Sequence, residues 1–329
     1  MEYSPGLRGV IAGETKISTV GMEGTSLRYR GYDAIKLTET HTYEDAASLI
    51  ISDDLDGSEF TNNFIKYYGE LTNDKDINKL FVEIKSRLHP MDVIRTVVSY
   101  IGDSDKNSDL ESTTKILAAV SYVIASYNDN DTSELDQEYT VASSMLSNKV
   151  STDELQALDD ILILYAEHGF NASTFATRVT ASTRSDLTSS IVSGIGTLKG
   201  ELHGGANERA VELINSFKDI NDAETGVLKM LEEKKKIMGF GHGVYKIQDP
   251  RSPVVKRWVE KLVSDDDAKL RFEIAKKIDE IMDKEKKLFP NVDFYGGLLL
   301  AELDFDVNLF TPIFVAGRSV GWAAHYFEQ

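Results

Sequence analysis

From about Tyr43 onward, apolar residues recur at helical spacing, and few alternating segments compete with them. A strand turns its side chains over every second residue and a helix about every 3.6, so this period points to helix-on-helix packing. The clearest run is 151–166, STDELQALDDILILYA. Ser151 and Glu154 stand at capping-box spacing, and Leu155, Leu158, Ile161, Leu162 and Tyr165 fall on one stripe. A second helix is expected from Ser252-Pro253, a cap residue followed by proline, through Val254, Trp258, Val259 and Leu262. A third should cover 267–288, with Leu270, Ile274, Ile278, Ile281 and Met282 inward. The first thirty residues differ: Gly, Ser and Thr are interspersed with Val10, Ile11, Thr15, Ile17, Thr19 and Val20, which reads as turns with a short hairpin. The fold class is all-α.

At 329 residues and 41% hydrophobic content the chain can bury a large core, as one big domain or two unequal ones. A net charge of -18 argues against nucleic acid and against an anionic membrane surface, both of which would be repelled. It leaves small anions open, because a local cluster of arginine and histidine can hold one. The absence of cysteine excludes disulfides, thiolate metal sites and cysteine nucleophiles. The first residues, MEYSPGLRGVIAGETK, lack a basic segment followed by an apolar run, and no window is long and apolar enough to span a bilayer. A cytoplasmic protein is expected. The acidic stretches 102–112 and 127–138 read as solvated loops.

Glycines cluster at 194–205 (GIGTLKGELHGG), 239–243 (GFGHG) and 296–297. Glycine is costly inside helices and useful where backbone turns tightly or approaches a ligand. Each cluster carries or adjoins a titratable side chain, which suggests helix junctions around a cleft. Of the six histidines, His41, His89 and His325 read as surface or structural, while His168, His203 and His242 sit in suggestive settings. His168, His203, His242 and Asp293 could meet on a cation only by tertiary accident, since no pair stands at i, i+4 and HExxH is absent. No metal site is expected. GxSxG, the Walker pattern and a dinucleotide fingerprint in its strand context are also missing.

The ordered segments LRYRGYDAIKL (27–37), HPMDVIRT (89–96), AEHGFNASTFATRV (166–179), LHGGAN (202–207), MGFGHGVYKIQDPR (238–251), PNVDFYGG (290–297) and FTPIFVAGRSVGW (310–322) resemble those of the citrate synthases. The likeness is greatest to the shorter archaeal and bacterial type, and it extends to the 2-methylcitrate synthases. It implies an almost wholly helical homodimer, with a large domain (1–205 and 299–329), a small domain (206–298) and an active site between them.

It implies further that Asp293 is the base that enolises an acyl-CoA, acetyl-CoA in the first reading, while His203 hydrogen-bonds the thioester oxygen. A carboxylate cannot remove so weakly acidic a proton alone, so the carbonyl must be polarised as the base pulls. A helix N-terminus following His203 would keep that imidazole neutral. His242 is matched to the group that acts on the oxaloacetate ketone. Arg251, Arg318 and His168 are matched to the carboxylate-binding residues, the arginines offering planar forks. The backbone of Ile237, Met238, Gly239, Phe240 and Gly241 is matched to the loop around CoA, with Lys246 and the run 234–236 near its phosphates. CoA is a co-substrate here, and no permanently bound cofactor is implied. The resemblance places one more arginine on a tail after the last matching helix, and no residue up to Gln329 is assigned to it. The alternatives are a 2-methylcitrate synthase using propionyl-CoA and a silent relative that only binds oxaloacetate or CoA.

Overall fold

Among the described residues, eleven of the sixteen α-helices start on an Asp, Asn, Ser or Thr side chain that takes up free amides of the first turn. The computed structural model describes residues 11–22, 26–102, 107–128, 140–146 and 150–329. A small antiparallel sheet opens the described part: β1 (Ser18–Val20), β2 (Leu27–Tyr29) and β3 (Tyr32–Asp33). Tyr29 pairs with Tyr32 across Arg30 and Gly31, both at positive φ, a turn that matches the twist of a hairpin.

The helices then follow in order. The first group is α1 (Ala34–Thr40), α2 (Tyr43–Ser52), α3 (Ser58–Asn73), α4 (Lys75–Lys85), α5 (Pro90–Ile101), α6 (Asp109–Tyr127) and α7 (Val141–Met145). Next come α8 (Thr152–Tyr165), α9 (Ala172–Ser182), α10 (Leu187–Leu198), α11 (Ala206–Asn215) and α12 (Ile220–Glu232). The last are α13 (Ser252–Leu262), α14 (Asp266–Lys286), α15 (Val292–Glu302) and α16 (Phe310–Glu328). Among the described residues no helix is long and apolar enough to cross a membrane.

Two helices form the centre. α8 is buried on every side from Ala157 to Tyr165, including Asp159 and Asp160, so the single stripe read from its sequence understates it. Leu155, on that stripe, is only half-buried. α16 is buried from Phe310 to His325 and packs along α8, α6, α9 and α10. Gly317 and Gly321 permit the approach. A Cβ on Gly317 would lie 2.7 Å from Tyr165 Cβ, and one on Gly321 would overlap the Ala166 carbonyl oxygen and Glu167 Oε2. Between them Arg318 reaches the end of α8, its Nε donating to the Tyr165 carbonyl at 2.6 Å.

Neither a backbone carbonyl nor a buried carboxylate can step aside, so Gly321→Ala should cost about 1–3 kcal/mol as overpacking. A lower denaturation midpoint at unchanged slope is the expected result, and an unchanged midpoint would refute this account of the contact.

Several expectations need correction. Ser252 is the first helical residue of α13 and Arg251 holds the cap position without a side-chain cap bond. In α14, Ile274, Ile278, Ile281 and Met282 are buried but Leu270 is 36% exposed. Ala268 and Phe272 fill the inward positions of that turn instead. The stretch 102–112 is not all loop: Ser108 and Glu111 form a capping box and α6 starts at Asp109. Tyr127 ends α6, and 129–139 lies outside the described residues, as does Val10. His89 caps α5, its Nδ1 accepting from the Met91 amide, and His41 follows α1.

Within 206–298, α11 and α13 pack on α15, and α12 packs on α14. α13 and α15 lean against α8, and α11 against α16. α15 runs unbroken across 298–299.

Candidate active site

The starts of α9, α13 and α15, the glycine-rich segments around His203 and His242, and one face of α16 meet at a cavity of about 160 Å³. Its lining includes His168, His203, His242, Arg251, Asp293 and Arg318, so all six side chains singled out for catalysis or carboxylate binding come together. Larger hollows of about 550 and 500 Å³ lie along α5 and α10 with no histidine in their lining, and those of about 300 and 170 Å³ each hold a single histidine, His41 and His89.

Asp293 occupies the first turn of α15, where Asn291 caps the helix by accepting the Asp293 amide at 3.1 Å. The residue as a whole is half-buried, yet Oδ1 is shut off from solvent with no hydrogen-bond partner among the described residues. Burial pushes its carboxyl up to about 6, with Asp249 adding to the rise and Arg251 and Arg318 opposing it. An unsatisfied buried carboxylate is expensive. Such a group is poised to take a proton near neutral pH.

The two glycine-histidine positions reach the neutral state by separate routes. His203 Nε2 accepts from the Ser173 amide at 3.3 Å and faces Ser173 Oγ at 2.9 Å. A backbone N–H can only donate, so the ring proton sits on Nδ1, which makes no hydrogen bond among the described residues. Burial, then Arg318, brings His203 down to about 4. The amide that fixes the His203 ring thus comes from the first turn of α9, thirty residues earlier, while α11, the helix expected after His203, begins three residues after it.

His242 Nδ1 accepts from the amides of Val244 and Tyr245 at 3.0 and 3.2 Å, which leaves the proton on Nε2. Burial, then Arg251, brings it down to about 4 as well. His168 packs edge-on to His242 with centroids 5.0 Å apart, and its Nε2 lies 3.0 Å from the Tyr245 hydroxyl. Burial, Arg251, His242 and Arg318 hold it well below the ordinary histidine range.

Arg251 is already engaged along one edge. Its Nε and one Nη donate to Asp249 at 2.9 and 2.8 Å, and Asp249 Oδ2 also accepts the Val292 amide at 3.1 Å. One carboxylate therefore ties the arginine to the start of α15. Arg318 differs: beyond Tyr165 its guanidinium has no hydrogen-bond partner among the described residues, and it lies over the Phe314 ring.

Ile237 to Gly241 is fastened to the same helix start. Phe240 bridges Pro290, Gly241 N donates to Phe289 O, and Asn291 bonds both Gly239 and Gly241. Gly239 has φ +83°, and a Cβ there would lie 2.8 Å from Phe294 Cβ. Lys246 is exposed and donates to the Gly243 carbonyl, and Lys235 pairs with Glu233. Among the described residues no group of His, Asp and Glu is arranged to hold a metal ion.

A family profile described as "Citrate synthase, C-terminal domain" matches residues 6–329. The chain belongs to the citrate synthase family. It is 41% identical to the 2-methylcitrate synthase of Shewanella oneidensis, over 98% of this chain and 90% of that one. It is 34% identical to citrate synthase 2 of Bacillus subtilis, covering 100% and 92%. A solved ternary complex of carboxymethyl coenzyme A and oxaloacetate with the citrate synthase of Thermoplasma acidophilum superposes with a TM-score of 0.89 at 26% identity, covering 99% and 92%. Citrate synthases are acyltransferases, and this chain is an enzyme of that class with a mostly helical fold.

Within this citrate synthase family member, reasoning from sequence passed over Asp249, Tyr245 and Ser173. Asp249 stood two residues before Arg251 in QDPR, at a spacing that allows a carboxylate to fold back on the guanidinium. Ser173 lay in AEHGFNAST beside His168, but its pairing with His203 across thirty residues leaves no local trace.

Proposed function

We propose that this chain condenses an acyl-CoA, acetyl-CoA in the first reading, with oxaloacetate and water to give citrate and free CoA. Asp293 removes a methyl proton while His203 Nδ1–H donates to the thioester oxygen as charge develops there. The enol carbon attacks the oxaloacetate ketone, and His242 Nε2–H gives that oxygen a hydrogen bond and then a proton. Water cleaves the resulting thioester, and the sulfur leaves as the thiol. Arg318, the free edge of Arg251 and His168 take the two carboxylates, and residues 237–241 with Lys246 take CoA. The partnerless Oδ1 of Asp293, beside two arginines and two neutral imidazoles, carries the reading. The bound pair in the Thermoplasma acidophilum complex supports it.

With this reading go a homodimer, a cytoplasmic setting, and a cleft that closes as 206–298 moves against the rest. A second reading, propionyl-CoA in place of acetyl-CoA, is favoured by the 41% identity to a 2-methylcitrate synthase. Thiol release from each acyl-CoA, with and without oxaloacetate, tests both. Release that needs oxaloacetate is expected, and the higher kcat/KM identifies the acyl group. No oxaloacetate-dependent release from either would refute the proposal.

A further inference from the structure

Glu167 is fully buried, directly precedes His168, and has no part in the chemistry above. Its Oε1 is the meeting point of three donors: Ser18 Oγ of β1 at 2.9 Å, the Gly169 amide, and His325 Nε2 of α16 at 3.0 Å. His325 Nδ1 lies 3.0 Å from Arg178 Nη1, which also pairs with Glu328. Arginine can only donate, so His325 carries its proton on Nε2 and donates it to Glu167. The other oxygen, Oε2, has no hydrogen-bond partner among the described residues and lies against Gly321, one turn from Arg318.

Arg318 is the complementary case. It is 1% exposed, and no carboxylate lies within ion-pair distance of it among the described residues, whereas Arg251 has Asp249. A buried charge without compensation is strongly unfavourable. Arg318 and His325 stand seven residues apart, two turns of one helix, and both turn toward the 165–169 segment.

We propose that Glu167 is a positioning residue of the carboxylate subsite, the resident counter-charge that keeps Arg318 protonated and seated at the end of α8. This rests on the reading of the cavity as the oxaloacetate site. Burial pushes the Glu167 carboxyl up, but His325, Arg318 and Ser18 outweigh it and hold it below the ordinary range. Burial pulls Arg318 down to about 10, with Arg251 adding to the fall, while Glu167, Tyr29 and Asp293 oppose it. Among the described residues those groups, with Tyr165, His168 and His203, face Arg318. Burial pushes Tyr29, Tyr165 and Tyr245 up beyond the alkaline window, so a limb there that moves with Glu167→Gln is assigned to Arg318.

The test is the KM for oxaloacetate from pH 7 to 10, read by thiol release, in wild type and Glu167→Gln. Loss of the negative charge makes the protonated guanidinium costlier, so its pKa falls. The alkaline rise in KM should begin about one pH unit lower in the variant, with kcat at pH 7.5 within a few fold of wild type. Superimposable KM profiles, with kcat or melting temperature alone lowered, would show a merely structural role and overturn the proposal. Ser18→Ala, which keeps the charge, should leave the limb where it is. Should Glu167→Gln not fold because Arg318 is left uncompensated, the double variant Glu167→Gln/Arg318→Met should fold and melt above either single variant. A double variant no better than the singles also overturns it. Calorimetry separates the failures: if wild type binds no oxaloacetate, the functional reading falls and takes the proposal with it, whereas binding with an unshifted limb removes the proposal alone.

Discussion

Asp293→Asn should leave oxaloacetate binding in place and lower condensation by about 100- to 10,000-fold, the usual contribution of a positioned general base. The substitution keeps shape and volume and removes only the acceptor of the carbon-bound proton. Oxaloacetate titrated calorimetrically should bind the variant as it binds wild type, because the arginines are untouched. Unchanged turnover in a variant that still binds would rule Asp293 out as the base.

The same carboxyl sets a pH limb. Only the ionised form accepts a proton, and burial raises Asp293 to about 6, so turnover should be present above that value and lost as pH falls through it. Stability runs the other way. A folded-state pKa above the unfolded value means the native state binds the proton more tightly, so this group stabilises at low pH and that contribution is lost as pH rises through about 6. At pH 8 the ionised carboxylate should cost about 1–3 kcal/mol. Asp293→Asn should therefore melt higher than wild type at pH 8, with the difference vanishing below about pH 4. Equal melting temperatures at both pH values would show that solvent or an arginine satisfies Oδ1 after all.

How far the sequence could be read follows from the range of each interaction. Helix periods and caps are local, so α8 with its capping box, α14 and the proline-started α13 were legible to within a residue or two. Leu270 was misplaced because a helical stripe says nothing about where the neighbouring helices end. The six side chains now lining one cavity stand in glycine-rich or turn-forming segments that mark junctions, and the family resemblance ordered them. The tautomers of His203 and His242 were not legible, being set by amides of Ser173, Val244 and Tyr245 whose direction exists only in the fold. Nothing local marks Glu167, whose bonds to Ser18 and His325 span 149 and 158 residues. Nor does anything local mark Gly321, whose need for glycine comes from the Ala166 carbonyl standing where its Cβ would be.

His203→Ala should slow exchange of the acetyl methyl protons with solvent by about 100- to 1,000-fold, the typical loss for one oxyanion donor. The argument starts from the tautomer. With Nε2 occupied by the Ser173 amide, the Nδ1–H is the one donor His203 can offer a thioester oxygen, and alanine leaves nothing in its place. Deuterium entering acetyl-CoA in heavy water, with a non-reacting dicarboxylate in place of oxaloacetate, measures enolisation apart from the later steps. His242→Ala should leave that exchange largely intact and lose the polarisation of bound oxaloacetate, read as the infrared shift of its ketone band. The pH dependence adds a second discriminant. His203 and His242 are both held near 4 and stay neutral through the working range, so neither supplies a limb between pH 5 and 8. The residual exchange of His203→Ala should keep the acid limb near 6, because that limb belongs to Asp293. If the limb instead disappears with the imidazole, His203 is the titrating base, and the roles assigned to these two residues must be exchanged.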